Sequence, residues 1–211
     1  MNIHTLLLIA PPILLALTFH EYAHAYVAHR LGDDTAQQSG RLTLNPLRHL
    51  DPLGTLMIFL VQFGWAKPVP VNPYQLRNPK KDMLWISAAG PLSNMLLALV
   101  SGLLFRLFSD STGTVDRYSI TGILILMALF SMKINLALAV FNILPIAPLD
   151  GSKILYGILP PGVGKMIFAF ERYGPFILIG LIILGRVTGV SILGGLIWPF
   201  VDFFSKLFAG I

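Results

Sequence analysis

Apolar residues run along this chain in long blocks, separated by short stretches where prolines, glycines and charges gather. Four blocks, residues 3–31, 83–108, 119–145 and 173–188, follow helical rather than alternating spacing and read as membrane-spanning helices. Two shorter blocks, 53–64 and 190–204, are marginal. At 1.5 Å per residue the first reaches about 18 Å against a hydrocarbon core of about 30 Å, and so reads as an interfacial or re-entrant piece. The second carries Gly194, Gly195 and Pro199 and suits a short span or a half-helix. The first long block has no basic lead-in and no small-residue cleavage site, which predicts an uncleaved helix. Pro11 and Pro12 predict a kink in it or its true start.

Composition agrees with a membrane setting. Of 211 residues, 55% are hydrophobic and only 12% charged, with a mean hydropathy of +0.74. Soluble domains carry about 25% charged residues, so an ordinary soluble enzyme is excluded, and so is disorder. There is no cysteine, hence no disulfide and no thiol chemistry. The expected architecture is all-α and polytopic, with four to six spans in a single membrane-embedded domain over 1–211. Its core covers 5–160 and its C-terminal helices 173–204. The net charge of +5 fits basic loops facing an anionic leaflet, and no nucleic-acid motif accompanies it.

The stretch Gly64-Trp65-Ala66-Lys67-Pro68-Val69-Pro70-Val71-Asn72-Pro73 cannot be helical. Pro68 and Pro70 place both missing N–H groups on one edge of an extended segment. The other edge, at Val69 and Val71, is left free to pair with a substrate strand. A rigid polar loop is the alternative. If the first span enters from outside, loops 30–82 and 149–172 hold ten Lys and Arg residues, against Arg106, Arg117 and Arg186 opposite. That bias predicts an external N-terminus and a cytoplasmic main loop.

Within the first span lies Phe19-His20-Glu21-Tyr22-Ala23-His24. One helical turn puts both imidazoles on one face, where they can share a zinc ion, with Glu21 beside it as general base. Ionisable groups at membrane depth are costly and functional by default. A third ligand is needed. His29 follows His24 by five residues and is rotated off the metal-facing line, while His49 and Asp51 sit in the basic loop. Asp33, Asp34, Asp82 and Asp202 read as helix-end or surface charges. Asp150 ends an apolar helix in a twice-proline-broken turn, at the depth of the two histidines. Lys133, in mid-span, is expected to face the bundle.

Taken together, His20-Glu21-x-x-His24, Gly90-Pro91-x-x-Asn94 and Asn142-x-x-Pro145-x-x-Pro148-Leu149-Asp150-Gly151 resemble the site-2 protease family of intramembrane zinc metalloproteases. The likeness spans about residues 5–160. It is to the short prokaryotic form, since loops 31–52 and 65–82 are too short for a PDZ or nucleotide-sensing module. The resemblance implies one Zn²⁺ held by His20, His24 and Asp150, and Glu21 as base. It places Asn142 and Asn94 near the scissile carbonyl or in substrate positioning, with inter-helix hydrogen bonding as their alternative. It reads residues 64–73 as a membrane-re-entrant β segment. The expected substrate is a transmembrane or membrane-proximal segment of another protein, cleaved in the lipid of a prokaryotic inner membrane. The rival reading is a metal-binding membrane carrier or scaffold without protease activity.

Overall fold

The computed structural model describes residues 3–54, 57, 64–112, 119–160 and 164–211. Seven α-helices are seen there: α1 Ile3–Arg30, α2 Thr35–Gln38, α3 Pro79–Thr112, α4 Ile120–Ile143, α5 Asp150–Ile158, α6 Gly164–Thr188 and α7 Ile192–Ala209. Side chains mark several ends. Ser119 accepts from the Gly122 N–H to start α4, and Ser191 accepts from the Gly194 N–H to start α7. Gly210, at φ 75°, closes α7 in the left-handed region. Pro11 and Pro12 lie inside a continuous α1.

Among the described residues, four helices are long and apolar enough to cross a membrane: Thr5–Arg30, Pro79–Ser109, Ile120–Ile143 and Ile192–Ala209. The marginal 190–204 block is thus a span that runs on to Ala209, and α6 carries the expected 173–188 block within Gly164–Thr188. The core joins α3, α4 and α7 through buried Ala98, Met132, Leu136, Val201 and Ala209. Small residues bring these helices close, as membrane interfaces require. A Cβ on Gly102 would sit 2.7 Å from Phe208 Cβ and 2.8 Å from Met132 Sδ.

The expected β segment over 64–73 is corrected. Among the described residues there is no sheet, only an isolated antiparallel bridge between Leu50 and Ala66. The reason lies in where the donors go. Pro68 and Pro70 have none, Lys67 N–H bonds the His49 carbonyl at 2.9 Å, and Val69 and Asn72 donate to the carboxylates of Glu21 and Asp33. The segment is an extended strap whose Val69 and Asn72 donors are tied to side chains. The 53–64 piece lies for the most part outside the described residues. Asp33 is the helix-end charge expected, accepting the Thr35 N–H at the start of α2, but it is fully buried rather than at the surface and also accepts the Asn72 N–H.

Candidate metal centre

The lower part of α1 packs against α3, and the turn before α5 closes on both. Here His20 Nε2 lies 3.0 Å from His24 Nε2, and Asp150 Oδ2 lies 3.1 and 3.2 Å from them. All three residues are buried. The sequence separation of 130 residues between His20 and Asp150 is bridged by a turn that only glycine permits. A Cβ on Gly151 would meet the Ile143 and Leu144 carbonyl oxygens at 2.0 and 2.3 Å.

Both imidazoles are held from behind. His20 Nδ1–H donates to Asn94 Oδ1 at 2.6 Å, and His24 Nδ1–H donates to the Ile86 carbonyl at 2.6 Å. The direction of the first bond is fixed by the rest of the network. Asn94 Nδ2 donates to the Ala16 carbonyl and to Asn135 Oδ1, and Asn135 Nδ2 donates to the Ser131 carbonyl. Carbonyls only accept, so Asn94 must present its oxygen to His20. Pro91 adds to this local chemistry by withholding an N–H from the ladder of α3 one turn beyond Ser87.

With both Nδ1 atoms protonated, both Nε2 atoms carry bare lone pairs. In the neutral imidazoles, two lone pairs and a carboxylate oxygen then face one another at 3.0–3.2 Å. Such a triangle is repulsive unless a cation, a metal ion or a proton, joins it. A tetrahedral zinc with ligands at 2.0–2.1 Å would set its donors about 3.3 Å apart, a few tenths of an ångström from the spacing seen. The donor set and its second shell fit the ion.

Gly90, the first residue of the Gly90-Pro91-x-x-Asn94 motif, is required by contacts its sequence neighbours do not reveal. A Cβ there would sit 2.5 Å from His24 Nε2 and 2.6 Å from His20 Nε2. Alanine should otherwise favour a helix interior by roughly 0.5–1 kcal/mol. Gly90→Ala is therefore expected to leave helical content intact while weakening zinc binding at least about tenfold, read by chelator competition. Asn94→Leu removes the acceptor that fixes the His20 tautomer. Its expected cost is about 10–100-fold in zinc affinity, by the same assay; an unchanged affinity would separate Asn94 from the centre.

Glu21 is buried beside the triad, and its Oε2 accepts the Val69 N–H at 2.9 Å. The Val69 N–H, expected on the edge open to a substrate strand, is here given to Glu21. Arg41 braces the same strap. It is buried, and its Nη2 donates to the Lys67 carbonyl at 2.5 Å. Burial lowers its pKa from the usual arginine value, and the nearby Glu21 carboxylate opposes that shift. Neither Arg41 nor the strap's attachment to Glu21 carried any signal in sequence spacing.

A cavity of about 840 Å³ opens onto the triad. Val69 and Val71 of the strap, Leu138 and Asn142 of α4, and Leu178 and Ile182 of α6 are among its walls. Asn142 donates one N–H to the Leu138 carbonyl at 3.0 Å. His29 instead pairs with Asp34 at 2.6 Å, and His49 donates to the Thr43 carbonyl, so neither joins the centre.

The comparisons with known proteins follow this geometry. A Bacillus subtilis protein provisionally named zinc metalloprotease YwhC is 39% identical over 94% of this chain and 90% of its own length. The chain belongs to the site-2 protease family of zinc metalloproteases. Two further members carry similarly provisional zinc-metalloprotease names. Rip2 of Mycolicibacterium smegmatis is 30% identical over 81% of this chain and 64% of its own. MJ0611 of Methanocaldococcus jannaschii is 31% identical over 65% and 63%. No family model matches the chain, and no solved structure matches it.

Proposed function

We propose that this protein is an intramembrane zinc endopeptidase that cleaves transmembrane or membrane-proximal segments of other proteins. The observation that carries the reading is the buried triangle of His20, His24 and Asp150 with Glu21 alongside, at the end of an apolar cavity. Zinc bound by the three residues would acidify a water molecule and polarise a carbonyl there. Glu21 takes the proton from the attacking water and returns it to the leaving amine. The Val69 N–H holds the Glu21 carboxylate in one orientation for that transfer. Asn142, with one N–H engaged by Leu138, has its second N–H for the substrate carbonyl oxygen. Asn94 orients His20 rather than touching substrate.

The apolar cavity wall suits an unwound hydrophobic segment better than a soluble peptide. The excess of basic residues in loops 30–82 and 149–172 supports a site near the cytoplasmic leaflet of a prokaryotic cell membrane, with the N-terminus outside. The test is incubation of the purified protein in lipid nanodiscs with a single-span polypeptide, with products located by mass spectrometry. Cuts within or beside the apolar span, abolished by a zinc chelator and restored by zinc, are expected. Intact substrate with fully zinc-loaded protein, or cleavage indifferent to chelation, would overturn the reading.

A further inference from the structure

Helix α7 packs on α3 and α4 through Val201, Phe204 and Phe208. Its neighbouring flank is exposed among the described residues. That flank carries Ser191, Gly195, Trp198, Asp202 and Lys206, at the three- and four-residue spacing that aligns side chains along a helix. Ser191, Gly194, Gly195, Trp198, Pro199 and Asp202 line a shallow, open hollow of about 360 Å³. Trp198 is 54% exposed, and Asp202 and Lys206 are exposed as well.

Asp202 is the anomaly. It lies ten residues, or about 15 Å, into an 18-residue helix apolar enough to span. A carboxylate at that depth is costly in lipid unless paired. Among the described residues, no ion pair engages Asp202 or Lys206. The two opposite charges stand one helical turn apart on one flank. Two copies inserted the same way and related by a two-fold axis can exchange them reciprocally. Gly194 and Gly195 allow the backbones to approach, and Trp198 is large enough to fill the hollow facing it. The surface is complementary to itself in charge.

We propose that this flank of α7 is the two-fold interface of a homodimer in the membrane, with Asp202 of one protomer paired with the partner's Lys206. The inference is independent of the metal centre and of the protease reading.

Its test uses the absence of native cysteine. A Cβ added at Gly195 meets nothing within 4 Å, so Gly195→Cys is tolerated within the monomer. Leu96→Cys, on the exposed side of α3, is the control. In oxidised membrane vesicles, Gly195→Cys is expected to form a disulfide dimer and Leu96→Cys is not. Adding Asp202→Lys or Lys206→Asp alone should lower the dimer fraction about tenfold by opposing like charges. Adding both should restore it, because the exchange reforms with reversed sign. The double swap contains each single change, so its recovery separates lost pairing from lost folding. No dimer at Gly195, equal dimer at Leu96, or a double swap no better than the singles would overturn the proposal.

Discussion

Glu21→Gln is expected to retain about one zinc per chain and to cut transmembrane substrate at least about 10³-fold more slowly. Glu21 touches none of the three ligand atoms. Its Oε2 is held by the Val69 N–H, and glutamine can keep that contact through its own carbonyl oxygen. What glutamine cannot do is accept a proton from water. The paired measurement is metal content and initial cleavage rate on the same preparation. Loss of zinc from Glu21→Gln would make this residue a ligand and favour the carrier reading. Undiminished cleavage would remove it from catalysis.

Asp150→Asn carries the second large effect, on the metal itself. The carboxylate supplies the only negative charge among the three donors, and its Oδ2 stands within 3.2 Å of both imidazole nitrogens. An amide of the same shape preserves packing at the start of α5 but removes that charge. Zinc affinity is expected to fall by more than the 10–100-fold typical of outer-shell changes, with cleavage lost at ordinary zinc concentrations. Competition with a chromophoric chelator measures the first. Native-like zinc affinity in Asp150→Asn would exclude Asp150 from the centre.

Much of this site was legible because its signals are local or topological. His20 and His24 meet by helical spacing alone. Asp150 could be placed through depth, since α1 and α4 bring their ends to one level and a broken turn follows. The supporting parts were illegible for a physical reason. Gly90 matters only because α3 presses against the two imidazoles, and nothing in its neighbours reveals that contact. Asn94 finds His20 across 74 positions, and its direction depends on Ala16, Asn135 and Ser131 together. The prolines at 68 and 70 announced an extended segment. They could not announce that the intervening Val69 N–H goes to Glu21 instead of a strand. The 190–204 block read as marginal because its apolar run, counted to 204, stops short of the helix end at Ala209.

The most direct measurement is zinc K-edge X-ray absorption on the zinc-loaded protein, beside His24→Ala. Two imidazole nitrogens at about 2.0–2.1 Å with oxygen completing a four-coordinate shell is the expected spectrum. One imidazole should vanish in His24→Ala. A shell without imidazole, or one unchanged by His24→Ala, would contradict a metal centre built from His20, His24 and Asp150.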